Sequence, residues 1–242
     1  MNKERELFNN NKITEALCQF TFTQHLDSDF YIKFAERIKS RYFDVQEIPL
    51  LHFNFNLLNQ APEKVELKGY RISNEKKDKI VQVFTDNLSI HQVGKYQQWE
   101  SFREDIYYIL AEFQKETNIQ IGRIDLRTIN VFEFEKEFNA NEYFNVALNY
   151  PSEFIQNSNY QFNQEQIFEK GKKAGVIRGN YIKENDKWKF ILDLSYINWL
   201  LDENVSSNNT EKIKASLEDG HLKLYNLFIQ TVTEKTKKLI TG

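Results

Sequence analysis

The chain has one cysteine, Cys18, so no disulfide can close within it. Its place in an alternating apolar run reads as a buried structural thiol rather than a nucleophile. Three prolines and eight glycines among 242 residues form no Pro/Gly/Ser tract, which excludes a flexible linker between separate domains. The four histidines, His25, His52, His91 and His221, have no second His or Cys at zinc-ligand spacing, so neither metal nor cofactor is expected. No apolar run is long enough to span a membrane, and MNKERELFNNNK lacks the apolar stretch of a signal peptide, so the expected location is the cytoplasm. Basic charge is not in excess either. A net charge of −3 argues against the strongly basic surface that non-specific nucleic-acid binding exploits.

Signatures of catalysis are also missing. Gly171, Gly175 and Gly179 lie in GKKAGVIRG without a G-x-x-x-x-G-K-[ST] loop and lead into a strand, so they read as turn and bulge glycines. Ser195 has no nucleophile-elbow context. Glu133 and Glu135 beside Lys136 read as a solvated strand end. His221 falls on an apolar helical stripe and reads as a hydrogen-bonded core histidine with a polar contact to the sheet, and His52 and His91 are placed to meet across a meander. No catalytic residue is assigned, and the protein is expected not to be an enzyme.

What the sequence holds in abundance is aromatic volume, twenty Phe and twelve Tyr, enough for the core of one domain covering 1–242. Ile13–Phe22 alternates as a strand with Ala16, Cys18, Phe20 and Phe22 on one row. A helix over Asp29–Arg41 carries Tyr31, Phe34, Ile38 and Tyr42 at helical spacing. Strands are predicted over Leu51–Leu58, Val65–Ser73, Lys79–Thr85 and Leu88–Gln92, with turns at Asn74–Asp78 and Asp86-Asn87. An amphipathic helix over Trp99–Thr117 follows. A second series then runs through a strand at Ile121–Phe134, a short helix at about 141–148 ending before Tyr150-Pro151, and strands at about 160–169, 174–183 and 187–196. Asn185-Asp186 makes its last turn, and a terminal helix from about Asn209 to Leu239 closes it, with Asn208, Asn209 and Thr210 as N-cap candidates. In the second opening strand the apolar row Ile124, Leu126 and Phe132 is interrupted by Thr128 and Asn130.

The two series share an offset. Ile13 and Ile121 differ by 121 − 13 = 108, and the turns Asp78-Lys79 and Asp186-Lys187 by 186 − 78 = 108. An even offset preserves strand parity. The expected fold is therefore α+β, with two pseudo-symmetric β-α-β(3-4)-α repeats at about 13–117 and 121–239. They share a curved, mostly antiparallel sheet with helices on one face. That order resembles the TATA-binding-protein-like architecture, an analogy of fold that carries no function by itself.

The stretches ITEALCQFTF, GYRISNEKKDKIVQVFTDNLSIHQV with WESFREDI behind it, IGRIDLRTINVFEF and HLKLYNLFIQTVTE together resemble a sporadically distributed prokaryotic protein family of about this length with no established activity. The most specific pieces are Gly69-Tyr70-Arg71, the Trp99/Phe102 helix start, and Arg123-Asp125-Leu126-Arg127 followed by Ile129-Asn130. Asn11-Lys12 departs from the family's proline-rich lead. The patchy distribution resembles that of defence-associated genes and implies a sensor, accessory or antitoxin-like role.

One face of the second opening strand carries Arg123, Asp125 and Arg127, whose alternating charges can hold one another at i, i+2 spacing. With Glu15, Gln19 and Thr21 from the first strand, joined by Asn54, Asn56 and Asp193, they would line a groove. Guanidinium forks there could meet an anionic or protein partner, against the plainer reading of a structural ion-pair ladder. The expected function is that of a non-enzymatic interaction or regulatory protein of a defence or toxin–antitoxin system. Its partner would be another protein encoded nearby, with a homodimer also open. A nucleic-acid or nucleotide-binding module using the sheet is the alternative.

Overall fold

The computed structural model describes residues 10–27, 29–54, 63–145, 160–184, 187–201 and 205–241. In chain order the elements are β1 (Ile13–Phe22), α1 (Phe30–Ile38), β2 (Asp44–Asn54), β3 (Glu63–Ser73), β4 (Lys79–Val83), β5 (Asn87–Val93), α2 (Trp99–Gln114) and β6 (Gln120–Phe134). There follow α3 (Ala140–Tyr143), β7 (Tyr160–Glu169), β8 (Lys173–Glu184), β9 (Lys187–Trp199), β10 (Val205–Ser206), α4 (Thr210–Thr231) and α5 (Glu234–Thr241). The strands form one sheet in the order β2-β3-β4-β5-β1-β6-β9-β8-β7, with β10 on β6. All of the pairings are antiparallel. The fold is α+β, a large antiparallel sheet flanked by helices. None of the described helices is long and apolar enough to cross a membrane.

Side-chain alternation gives the sheet two unlike faces. In β1 the even positions Ala16, Cys18, Phe20 and Phe22 are buried and the odd ones half-exposed, and in β6 Ile124, Leu126 and Phe132 continue the buried side. Helices cover that side. Phe22 stacks on Phe113 of α2, Phe113 meets Phe30 and Phe34 of α1 edge-on, and Phe144, just past α3, stacks on Phe190 of β9. Helix α4 approaches so closely that a Cβ on Gly220 would lie 2.7 Å from Tyr196 and 2.9 Å from Leu126. The aromatic abundance of the sequence thus becomes ring-on-ring packing, each such pair contributing about 0.5–1.5 kcal/mol beyond its burial.

Several element boundaries differ from the sequence expectation. The terminal helix is two helices, because Val232 turns extended and bridges Phe144 while Thr233 N–H donates to the Tyr143 carbonyl. The run Thr231-Val232-Thr233 is β-branched and gives up little helix propensity there. Asn209 does cap α4, its side chain accepting from Lys212 N–H. Strand β2 begins at Asp44, well before Leu51, and it is the edge strand, the position in a sheet where a proline such as Pro49 is accommodated. Helix α1 ends at Ile38, and Tyr42 beyond it is still buried. Glycine 171 sits in the β7–β8 turn at φ +73°, as read, but Gly175 and Gly179 lie inside β8. There Phe162, directly opposite Gly179, lies where a side chain would be. The expected turn at Asn185-Asp186, the end of the strand beyond Asn54, and residues 146–151 lie outside the described residues.

Candidate functional site

The side of the sheet opposite the helices carries the odd residues of β1 and β6. Register brings Leu17 opposite Arg127, Gln19 opposite Asp125, Ser195 opposite Arg127 and Asp193 opposite Ile129, all on that face. Arg127 grips Asp193 with two bonds of 2.7 Å, from Nε and from Nη2, the fork geometry that matches a carboxylate. Arg178 of β8 donates to the same carboxylate at 3.4 Å and to Ser195 Oγ at 3.3 Å. Arg123 Nε donates to Asp125 at 2.8 Å within its own strand. The expected three-residue ladder is therefore split: Arg123 and Asp125 pair, whereas Arg127 pairs across strands with Asp193. Asp193 is 9% exposed and Arg127 is 38% exposed, so a buried anion holds a guanidinium that still reaches water.

Burial pushes the Asp125 carboxyl up to about 6, an effect that Arg123 only partly offsets, and its Oδ1 is buried with no hydrogen-bond partner. Glu15 is held below the usual range, first by its bond to His91 and then by the positive field of His91, Arg127 and Arg71, against the opposing effect of burial.

Asn54 does not join this cluster. It ends β2, the edge strand, five strand spacings or about 24 Å from β6, and Asn56 lies outside the described residues. His52 and His91 do not meet either, since β3 and β4 separate their strands by about 14 Å in all. His91 instead binds Glu15 through Nδ1 at 2.8 Å and Ser89 through Nε2 at 2.9 Å. That hydroxyl–imidazole–carboxylate sequence has the connectivity of a triad. Ser89, however, is 3% exposed and flanked by the long side chains of its cross-strand partners Gln19 and Gln82. Among the described residues, no group of three or more His, Cys, Asp or Glu could hold a metal ion.

Two features escaped sequence reasoning. The first is a hollow of about 280 Å³, where Trp199, the cross-strand partner of Arg123, lies with Ile167 and Leu201 among Glu165, Glu169 and Lys173, and Ile167 and Leu201 are 62% and 64% exposed. Leu201 falls past the predicted strand end, which hid it. The second is a cavity of about 580 Å³ on the helix side, between the start of α2, the middle of α4 and the strands β1 and β6. His221 lines it, half-buried, its ring stacked on Trp99 at 4.3 Å and 7°. A signal for this cavity was present, since Thr128 and Asn130 break the apolar row of β6 where it forms the floor.

Neither the protein-family models nor the curated proteins contain a match to this chain.

Proposed function

We propose that this protein is a non-enzymatic interaction protein that docks a protein partner on the open face of its sheet. The observation that carries the reading is the juxtaposition of Trp199, Ile167 and Leu201 with the guanidinium row of Arg123, Arg127 and Arg178. Exposed apolar side chains beside tryptophan and ordered arginines have the composition of an interface centre. Asp125 holds Arg123, and Asp193 holds Arg127 and Arg178, in place beforehand, which lowers the entropy lost on docking. The partner we favour is a protein encoded nearby, in a sensor, accessory or antitoxin-like role of a defence or toxin–antitoxin system, with a second copy of the chain as the alternative.

We also propose that the two halves are pseudo-symmetric repeats within one domain, sharing a curved sheet. Outward from the β1/β6 centre the order is β5, β4, β3 on one side and β9, β8, β7 on the other. Cys18 pairs with Leu126, and 126 − 18 = 108. The flanking pairs Leu17↔Arg127 and Gln19↔Asp125 exchange under the same offset. The turn landmark fares differently, since β4 after Asp78 is separated from the centre by β5, while β9 after Asp186 adjoins β6.

Ile167→Asp tests the docking face without a folding cost, because the side chain is exposed. It should weaken capture of the neighbour-encoded protein at least tenfold, whereas Ile32→Asp, equally exposed on α1, should not. Equal behaviour of the two variants would refute the face. Binding of a single-stranded oligonucleotide that weakens with salt and with Arg127→Ala would favour the nucleic-acid reading instead.

A further inference from the structure

The cavity on the helix side owes its volume to small residues. Ala16 and Thr128 are cross-strand partners, and they stand where the neighbouring positions on the same buried rows carry Cys18, Leu126, Phe20 and Ile124. Above them α2 and α4 leave a gap, although one turn away α4 touches the sheet through Gly220. Protein interiors are close-packed, so about 580 Å³ at this place is the volume of a small-molecule site, which runs about 300–1,000 Å³.

Its walls are aromatic and fixed. Tyr96, Trp99, Phe102, His221, Tyr225 and Phe228 all contribute rings to the lining, and Trp99 and His221 stack on each other within it. The indole is pinned twice: His221 stacks on its ring, and its Nε1 donates to Glu218 at 3.3 Å, a carboxylate that Arg103 holds at 2.9 Å. Polar groups alternate with the rings, and Asn10, Asn11, Gln97, Gln98 and Arg127 are among them. On the floor are Thr128 and Asn130, and Asn130 Nδ2 donates to the Leu192 carbonyl at 3.2 Å. At the rim stand Lys12 and Lys95 against one carboxylate, Glu100. Among the described residues neither lysine has an ion-pair partner, and Lys12 Nζ bonds only Asn10 Oδ1, at 3.2 Å. The stretches WESFREDI, IGRIDLRTIN and HLKLYNLF, remote in sequence, all contribute to this one lining.

We propose that this cavity binds a flat aromatic or heteroaromatic small molecule carrying an anionic group. The ring packs against this aromatic lining, its polar edge meets Thr128 and Asn130, and its anion points to Lys95 and Lys12. This site opens on the other side of the sheet from the docking face, and because Arg127 of β6 belongs to both, its test uses Thr128 and Lys95 instead.

Two dyes of similar ring size separate the two halves of the idea: 8-anilinonaphthalene-1-sulfonate, an anion, and N-phenyl-1-naphthylamine, its uncharged counterpart. Both should bind the intact chain at one site. Thr128→Leu, which fills the floor, should weaken both at least tenfold. Lys95→Glu should weaken the sulfonate about fivefold or more and leave the amine unchanged. Lys95 is exposed, so this arm remains decisive even where Thr128→Leu does not fold. Several dye sites per chain, or affinities indifferent to Thr128→Leu, would overturn the cavity as the site. A sulfonate affinity indifferent to Lys95→Glu would overturn the anionic class of ligand.

Discussion

Asp125 shows how a single residue on the open face is placed at a cost. Its carboxyl is pushed up to about 6 by burial, with Arg123 only partly compensating, and one oxygen has no partner. A folded-state pKa above the unfolded one means that the folded form prefers the protonated acid. The associated stability is complete below the ordinary carboxylate range near 3.9 and is lost as pH rises through about 6. Asp125→Asn should therefore raise the melting temperature at pH 8 by more than at pH 4. Two pKa units correspond to roughly 3 kcal/mol as an upper bound. Equal gains at both pH values would mean that the ionised carboxylate is not the destabilising species. Glu15 behaves in the opposite sense: its lowered pKa contributes stability above the ordinary range that fades as pH falls through the folded value.

At the level of elements, periodicity identified the strands and helices wherever a single buried face dictated the pattern. It placed the start of α2 correctly for that reason. It could not see Val232 leave the helix, because the cause is Phe144, eighty-eight positions earlier (232 − 144 = 88), bridging to it. Nor could it separate His52 from His91, because strand order is a tertiary fact. The candidate site was legible in part. Parity put Arg123, Asp125 and Arg127 on one face, but only register supplied Asp193 as the partner of Arg127 and brought in Arg178. Gly220 illustrates the same limit, since only the fold makes it the contact of α4 with Tyr196 and Leu126. Gly220→Ala should lower the melting temperature, since overpacking of about 1–3 kcal/mol outweighs a helix-propensity gain of about 1 kcal/mol. A higher melting temperature would show that α4 can shift away from the sheet without loss.

Across the whole molecule the sheet separates two kinds of surface chemistry. One side is filled with rings and helices and holds the cavity beside Thr128, and the other presents arginines set by buried carboxylates beside Trp199 and Ile167. The central claim is that the second side docks a protein. Arg127→Ala tests it most directly, with melting and capture of the neighbour-encoded protein measured on the same sample. Arg178 remains to neutralise Asp193 in this variant, so the stability change should stay near the 0–1 kcal/mol of an exposed pair, while capture falls at least tenfold. A loss of roughly 3–5 kcal/mol, the signature of a stranded buried charge, together with undiminished capture would show that the guanidinium row is purely structural and contradict the account.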